Sequence, residues 1–146
     1  MNRYLIILAG LAIYVTSFFL SCLRGVGVFK GYFCALHTLT LPWEHDGLNL
    51  LHHQPFMYFS ILLSGWINPL FVIVTVLIVV LILLKKRSRL IPILTAVLVL
   101  MMPFCWFIFV NEHLTPREGY YLWTLGMLLV VFADRLSGTR DAAVNS

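Results

Sequence analysis

Leu90 to Val110 runs without one charged side chain, and it is not alone. Tyr4 to Leu23 and Phe56 to Leu84 are equally free of charge, and Tyr120 to Ala133 is a shorter run of the same kind. A helix needs about 20 apolar residues to cross the hydrocarbon core of a bilayer. In that core no water satisfies the backbone, so a helix must close its N–H and C=O groups on itself. These runs point to an all-α integral membrane protein, a single membrane domain over 1–146. Composition agrees. The chain is 61% hydrophobic and 11% charged, where a soluble domain carries about 45–50% and about 25%. Its net charge of +4 is scattered among apolar runs. That pattern suits a lipid bilayer as the surrounding partner and argues against nucleic acid.

Four transmembrane helices are predicted, at about 4–23, 69–86, 90–110 and 116–136. The first is read as an uncleaved span, because it is longer than a signal-peptide core and no A-x-A site follows it. Phe56 to Leu84 is too long for one straight crossing. Asn68-Pro69 therefore predicts a helix break, with Asn68 as cap and Pro69 in the first turn. Residues 56–65 then form an interfacial or re-entrant piece. The alternative is one long helix kinked at Pro69. Thr115-Pro116-Arg117-Glu118 reads as a capping box that starts the fourth helix. Pro103 should kink the third.

Orientation follows from the short loops. Lys85, Lys86, Arg87 and Arg89 crowd one turn, and Arg3, Arg135 and Arg140 fall on the same side. Only Arg24, Lys30 and Arg117 fall opposite. Both termini and the basic turn 85–89 are thus expected in the cytoplasm, most simply at a bacterial inner membrane. The long connection of about 24–68 lies outside. It is apolar rather than filler, and it is expected to form a cap of short interfacial or re-entrant helices between the first two spans.

That cap holds the candidate functional residues. Trp43, Glu44, His45, His52 and His53 form the predicted surface for a partner or signal. All five histidines, His37 and His113 included, fall on this side. No H-x-x-H spacing exists, so no metal and no cofactor is predicted. Cys22 and Cys34 both lie near the outer face, where an oxidising compartment would let them form a disulfide. Cys105, inside the third span, reads as a small hydrophobe. No C-x-x-C is present, which argues against the four-helix quinone-linked thiol oxidoreductases of similar size. Ser60, Ser64 and Asn68 are expected to satisfy backbone freed by Pro69.

No ionisable residue falls at mid-bilayer, so proton-coupled transport is not expected. No nucleotide loop or nucleophile elbow appears. The expected function is that of a non-enzymatic membrane subunit, which oligomerises or binds a second protein. Small sensing, immunity and defence subunits of bacterial inner-membrane complexes share this build. One alternative is an oligomeric channel gated by Phe104, Trp106, Phe107 and Phe109. Another is a redox or metal-binding protein that uses the outer histidines or Cys22 with Cys34.

Overall fold

The computed structural model describes residues 3–24, 27–84, 86 and 88–133. It is built mostly of helices. Helix α1 covers Arg3–Ser17 and is followed by strands β1 (Ser21–Arg24) and β2 (Val28–Lys30). Helices α2 (Gly31–Thr40) and α3 (His45–His53) flank a single turn of 3-10 helix at Leu41–Trp43. The two long helices are α4 (Pro55–Leu83) and α5 (Leu90–Asn111). Strand β3 (Thr115–Pro116) then leads into α6 (Glu118–Val131).

Helices α4 and α5 are each long and apolar enough to cross a membrane, whereas α1 and α6 are apolar but shorter. The outward faces of the long pair are aliphatic: Val72, Ile73, Val76, Ile93, Val97 and Leu100 are all exposed. A face of that kind costs free energy in water and none in lipid.

Four expectations need correction. The first concerns Asn68-Pro69, which does not break the helix: α4 is continuous over 29 residues with Pro69 inside it. A proline ring clashes with the carbonyl four residues earlier. Here that residue is Gly65, which has no side chain to crowd the distorted turn. The second concerns α1, which stops at Ser17 instead of running to Leu23. The turn that follows is closed by Phe18, Phe19 and Leu20 N–H groups, which donate three residues back to Val15, Thr16 and Ser17. The chain then straightens into β1.

The third correction is to the all-α reading itself. A small antiparallel sheet of order β2-β1-β3 is present. Leu23 faces Phe29 and Arg24 faces Val28 on one side. On the other, Leu23 faces Pro116 and Arg24 faces Thr115. Period-2 patterning is hard to see in strands this short. The fourth follows from the third. Thr115 is in a strand, not at a helix cap, and Arg117 N–H donates to Cys22 C=O at 2.8 Å. Pro116 has no N–H and sits on the edge strand, where none is required. Helix α6 begins at Glu118 with Arg117 as its N-cap and no side-chain cap.

The helices form two close antiparallel pairs, α1 with α6 and α4 with α5. Small residues let α1 and α6 approach. A Cβ on Gly10 would lie 2.8 Å from Val130 Cγ2 and 3.0 Å from Gly126 C=O. One on Gly126 would lie 2.7 Å from the Tyr14 nitrogen. The pairs then share one core that includes Ile7, Tyr14, Ile67, Phe71, Leu98, Met127 and Val130. Aromatic contacts cross the seam. Tyr14 packs on Phe71 with ring centres 4.5 Å apart, and Tyr120 packs edge-on against Phe109 at 4.7 Å.

This connectivity gathers the sheet, α2 and α3 at one end of the bundle. Lys86 and Arg89 sit at the other end, both exposed. Arg3 starts α1, and Lys85, Arg87, Arg135 and Arg140, the other cations assigned to that end, lie outside the described residues. Helix α2 lies along α4, so close that a Cβ on Gly65 would collide with Thr38 C=O.

Candidate functional site

A cavity of about 90 Å³ opens where the two helix pairs meet beneath the cap. Its roof is β1 and α2, which contribute Cys22 and Cys34. Helix α4 supplies Ser64 and Asn68, α5 supplies Cys105 and Phe109, and α6 supplies Tyr120 and Trp123. The chain has three cysteines. All of them line this one space, although they are far apart in sequence.

The roof is fixed by backbone bonds. Gly31 N–H donates to Leu20 C=O at 3.0 Å, and Tyr32 N–H donates to Phe18 C=O at 2.9 Å. A Cβ at Gly31 would sit 2.6 Å from Ser17 C=O, so only glycine admits this approach. Cys34 follows one turn later, in the first turns of α2, so that Cys22 and Cys34 border the same cavity. Both are free and half-buried. The neighbouring Cys22 thiol, with help from the Cys34 backbone N–H, holds the Cys34 thiol below its ordinary range against the effect of burial.

Two hydrogen-bonded polar groups stand in the floor. Asn68 Oδ1 accepts from Tyr14 O–H at 2.9 Å and from Trp123 Nε1–H at 2.8 Å. Tyr14 and Trp123 belong to the α1–α6 pair and Asn68 to the α4–α5 pair, so this fork joins the two halves. Cys105 S–H donates to Ser64 Oγ at 3.3 Å, and Ser64 O–H donates to Ser60 C=O at 2.7 Å. Ser60 O–H donates in turn to Phe56 C=O at 2.8 Å. These hydroxyls bond one turn back along α4. They do not reach the Gly65 carbonyl that Pro69 leaves without its donor, and Asn68 serves the neighbouring helices instead.

The cavity size limits its chemistry. A benzene site measures about 150 Å³, so an aromatic cofactor ring does not fit a space of about 90 Å³. Several waters or a solute of a few atoms do. Among the described residues no three His, Cys, Asp or Glu side chains are placed to share a metal ion.

The predicted outer surface is elsewhere. Trp43, Glu44, His45, His52 and His53 are all exposed on the cap, away from the cavity lining. Trp43 is 67% exposed, and beside it Pro42 is buried and anchors the turn. His37 is occupied in a stack on Phe33. Within one chain the four residues suggested for a pore constriction diverge. Phe107 packs on Phe56 at 4.5 Å, while Trp106 and Phe109 pack on Tyr120. Sequence reasoning missed Cys105 and Trp123 as site residues, and it missed the link through Asn68. The signal was present as three cysteines in a chain of few polar residues, but nothing in their spacing shows that they converge.

Comparison of the chain with family models, curated proteins and solved structures gives no match.

Proposed function

We propose that this chain is a non-enzymatic sensing subunit of a membrane assembly, with a thiol-lined cavity as its input and the exposed cap as its partner surface. The observation that carries this reading is the meeting of Cys22, Cys34 and Cys105 around one cavity under the cap. In this reading the chain crosses the membrane four times, with both termini and the basic turn in the cytoplasm and the cap outside. Two arguments support that topology. Lys86 and Arg89 sit at the end of the bundle opposite the cap, and cations of short loops favour the cytoplasmic side. Helix α4 has 29 residues, about 43 Å at 1.5 Å per residue, some 13 Å more than a bilayer core requires. That surplus at the cap end is where α2 and α3 pack. Helices α1 and α6, with 15 and 14 residues, measure about 22 Å, and their flanking strands complete the crossing at the interface. A bacterial inner membrane fits a chain of this size with one basic turn.

The cap supplies an outward ledge. Trp43, Glu44 and His45 stand beside the start of α3, and His52 and His53 stand at its end. Exposed aromatic residues of this kind anchor protein interfaces. The proposed partner is a second protein or another copy of this chain. A photo-cross-linking residue placed at Trp43 tests it in the native membrane. The expected result is one discrete cross-linked species, lost when His45, His52 and His53 are changed to Ala. A ledge that captures only lipid would reduce the cap to a lid and defeat the reading.

A further inference from the structure

Cys22 and Cys34 are held by different elements, a strand and a helix, which backbone hydrogen bonds fix against each other. Both thiols are partly accessible, while Cys105 is buried and donates to Ser64. The space they border is too small for a ring but admits a solute of a few atoms. Reactive cysteines are those that combine thiolate character, access and a neighbouring resolving thiol. Cys34 stands near the N-terminal end of α2, where a helix favours a thiolate, is partly accessible and borders one cavity with Cys22, whereas Cys105 is buried.

We infer that Cys34 and Cys22 form a peroxide-reactive pair, in which Cys34 is the attacked thiol and Cys22 resolves it to a disulfide. The oxidant is hydrogen peroxide or a small hydroperoxide. The Cys34 thiolate attacks one peroxide oxygen and the O–O bond breaks. The departing hydroxide takes up the proton that Cys34 released and leaves as water, so Cys34 becomes a sulfenic acid. The Cys22 sulfur then attacks the Cys34 sulfur. The S–O bond breaks, and the second hydroxide leaves as water with the Cys22 proton. One hydrogen peroxide is reduced to two waters, or one hydroperoxide to an alcohol and a water, while two thiols are oxidised to one disulfide. The bond ties β1 to α2 covalently across the roof of the cavity. This inference rests on the sensing reading only for its biological meaning; the chemistry stands or falls alone.

The test uses the full chain in lipid nanodiscs, exposed briefly to hydrogen peroxide and read by intact mass and peptide mapping with dimedone present. The wild-type protein should lose two hydrogens and yield a Cys22–Cys34 linked peptide. Cys22→Ser should instead accumulate a dimedone adduct on Cys34. A linkage through Cys105, an adduct on Cys22 in preference to Cys34, or no oxidation where free cysteine is oxidised would each overturn the inference. The wild-type result alone decides the matter if a variant fails to fold. If the disulfide forms but the Trp43 cross-link is the same in both redox states, the inference stands and the sensing reading fails.

Discussion

Replacing Asn68 with Leu removes the one acceptor shared by the two helix pairs. Asn68 Oδ1 receives Tyr14 O–H at 2.9 Å and Trp123 Nε1–H at 2.8 Å. Leu keeps the branching and heavy-atom count of Asn, so the change opens no cavity and chiefly removes the hydrogen bonds. A hydrogen bond between helices in a membrane contributes about 0.6 kcal/mol, at most about 1.7. Tyr14 is 7% exposed, so its hydroxyl loses its acceptor where water barely reaches. An unsatisfied buried donor costs about 1–3 kcal/mol. Two such bonds put the loss near 2 kcal/mol, toward the low end of that scale because Trp123 is only half-buried. The assay is reversible unfolding in mixed detergent–SDS micelles, followed by tryptophan fluorescence. Tyr14→Phe alone should cost about 0.6 kcal/mol. In the Asn68→Leu background the Tyr14 change should instead recover about 1 kcal/mol, because it removes a buried hydroxyl that has already lost its acceptor. An Asn68→Leu protein within about 0.5 kcal/mol of wild type, or strict additivity with Tyr14→Phe, would refute the fork as the link between the pairs.

Other sites give sharper local tests. Gly126→Ala should cost about 1–3 kcal/mol in the same assay, since its Cβ would lie 2.7 Å from backbone of α1; a neutral result would mean that α1 and α6 do not touch there. His113 has φ of 50° and ends α5 with Leu114 N–H donating to Phe109 C=O at 2.9 Å. His113→Gly should therefore stabilise the protein by about 0.5–1 kcal/mol, read as a shift of the unfolding midpoint to higher SDS. Thr75 Oγ1 is buried without a partner. Thr75→Val should raise stability by about 1 kcal/mol, and a loss instead would reveal a bond to that hydroxyl.

How much of this was legible in the sequence depended on the range of the interaction. The apolar runs around α4 and α5 were readable because burial in lipid is a property of the run itself. Leu90 to Val110 becomes a helix almost residue for residue. The ends of α1 and α6 were misread because tertiary pairing decides them. Thr115-Pro116 has good local chemistry for a cap, yet the ladder with Leu23 and Arg24 uses that backbone instead. Pro69 was read as a break because proline usually is one, yet α4 carries it in its interior. The site itself was half legible. Cys22 and Cys34 were paired by their position near one face, whereas Cys105 joins them only through the packing of α5 against α4. Asn68 was noticed, but assigned to its own helix rather than to Tyr14 and Trp123.

The central claim is that this chain works as a sensing subunit within an assembly. Its most direct test is a native mass spectrum of protein gently extracted from its own membrane, recorded reduced and after peroxide treatment. The account expects a mass above the 16.7 kDa of one chain, from further copies or a second protein, with the proportion of complex differing between the two redox states. A bare monomer in both states would contradict it.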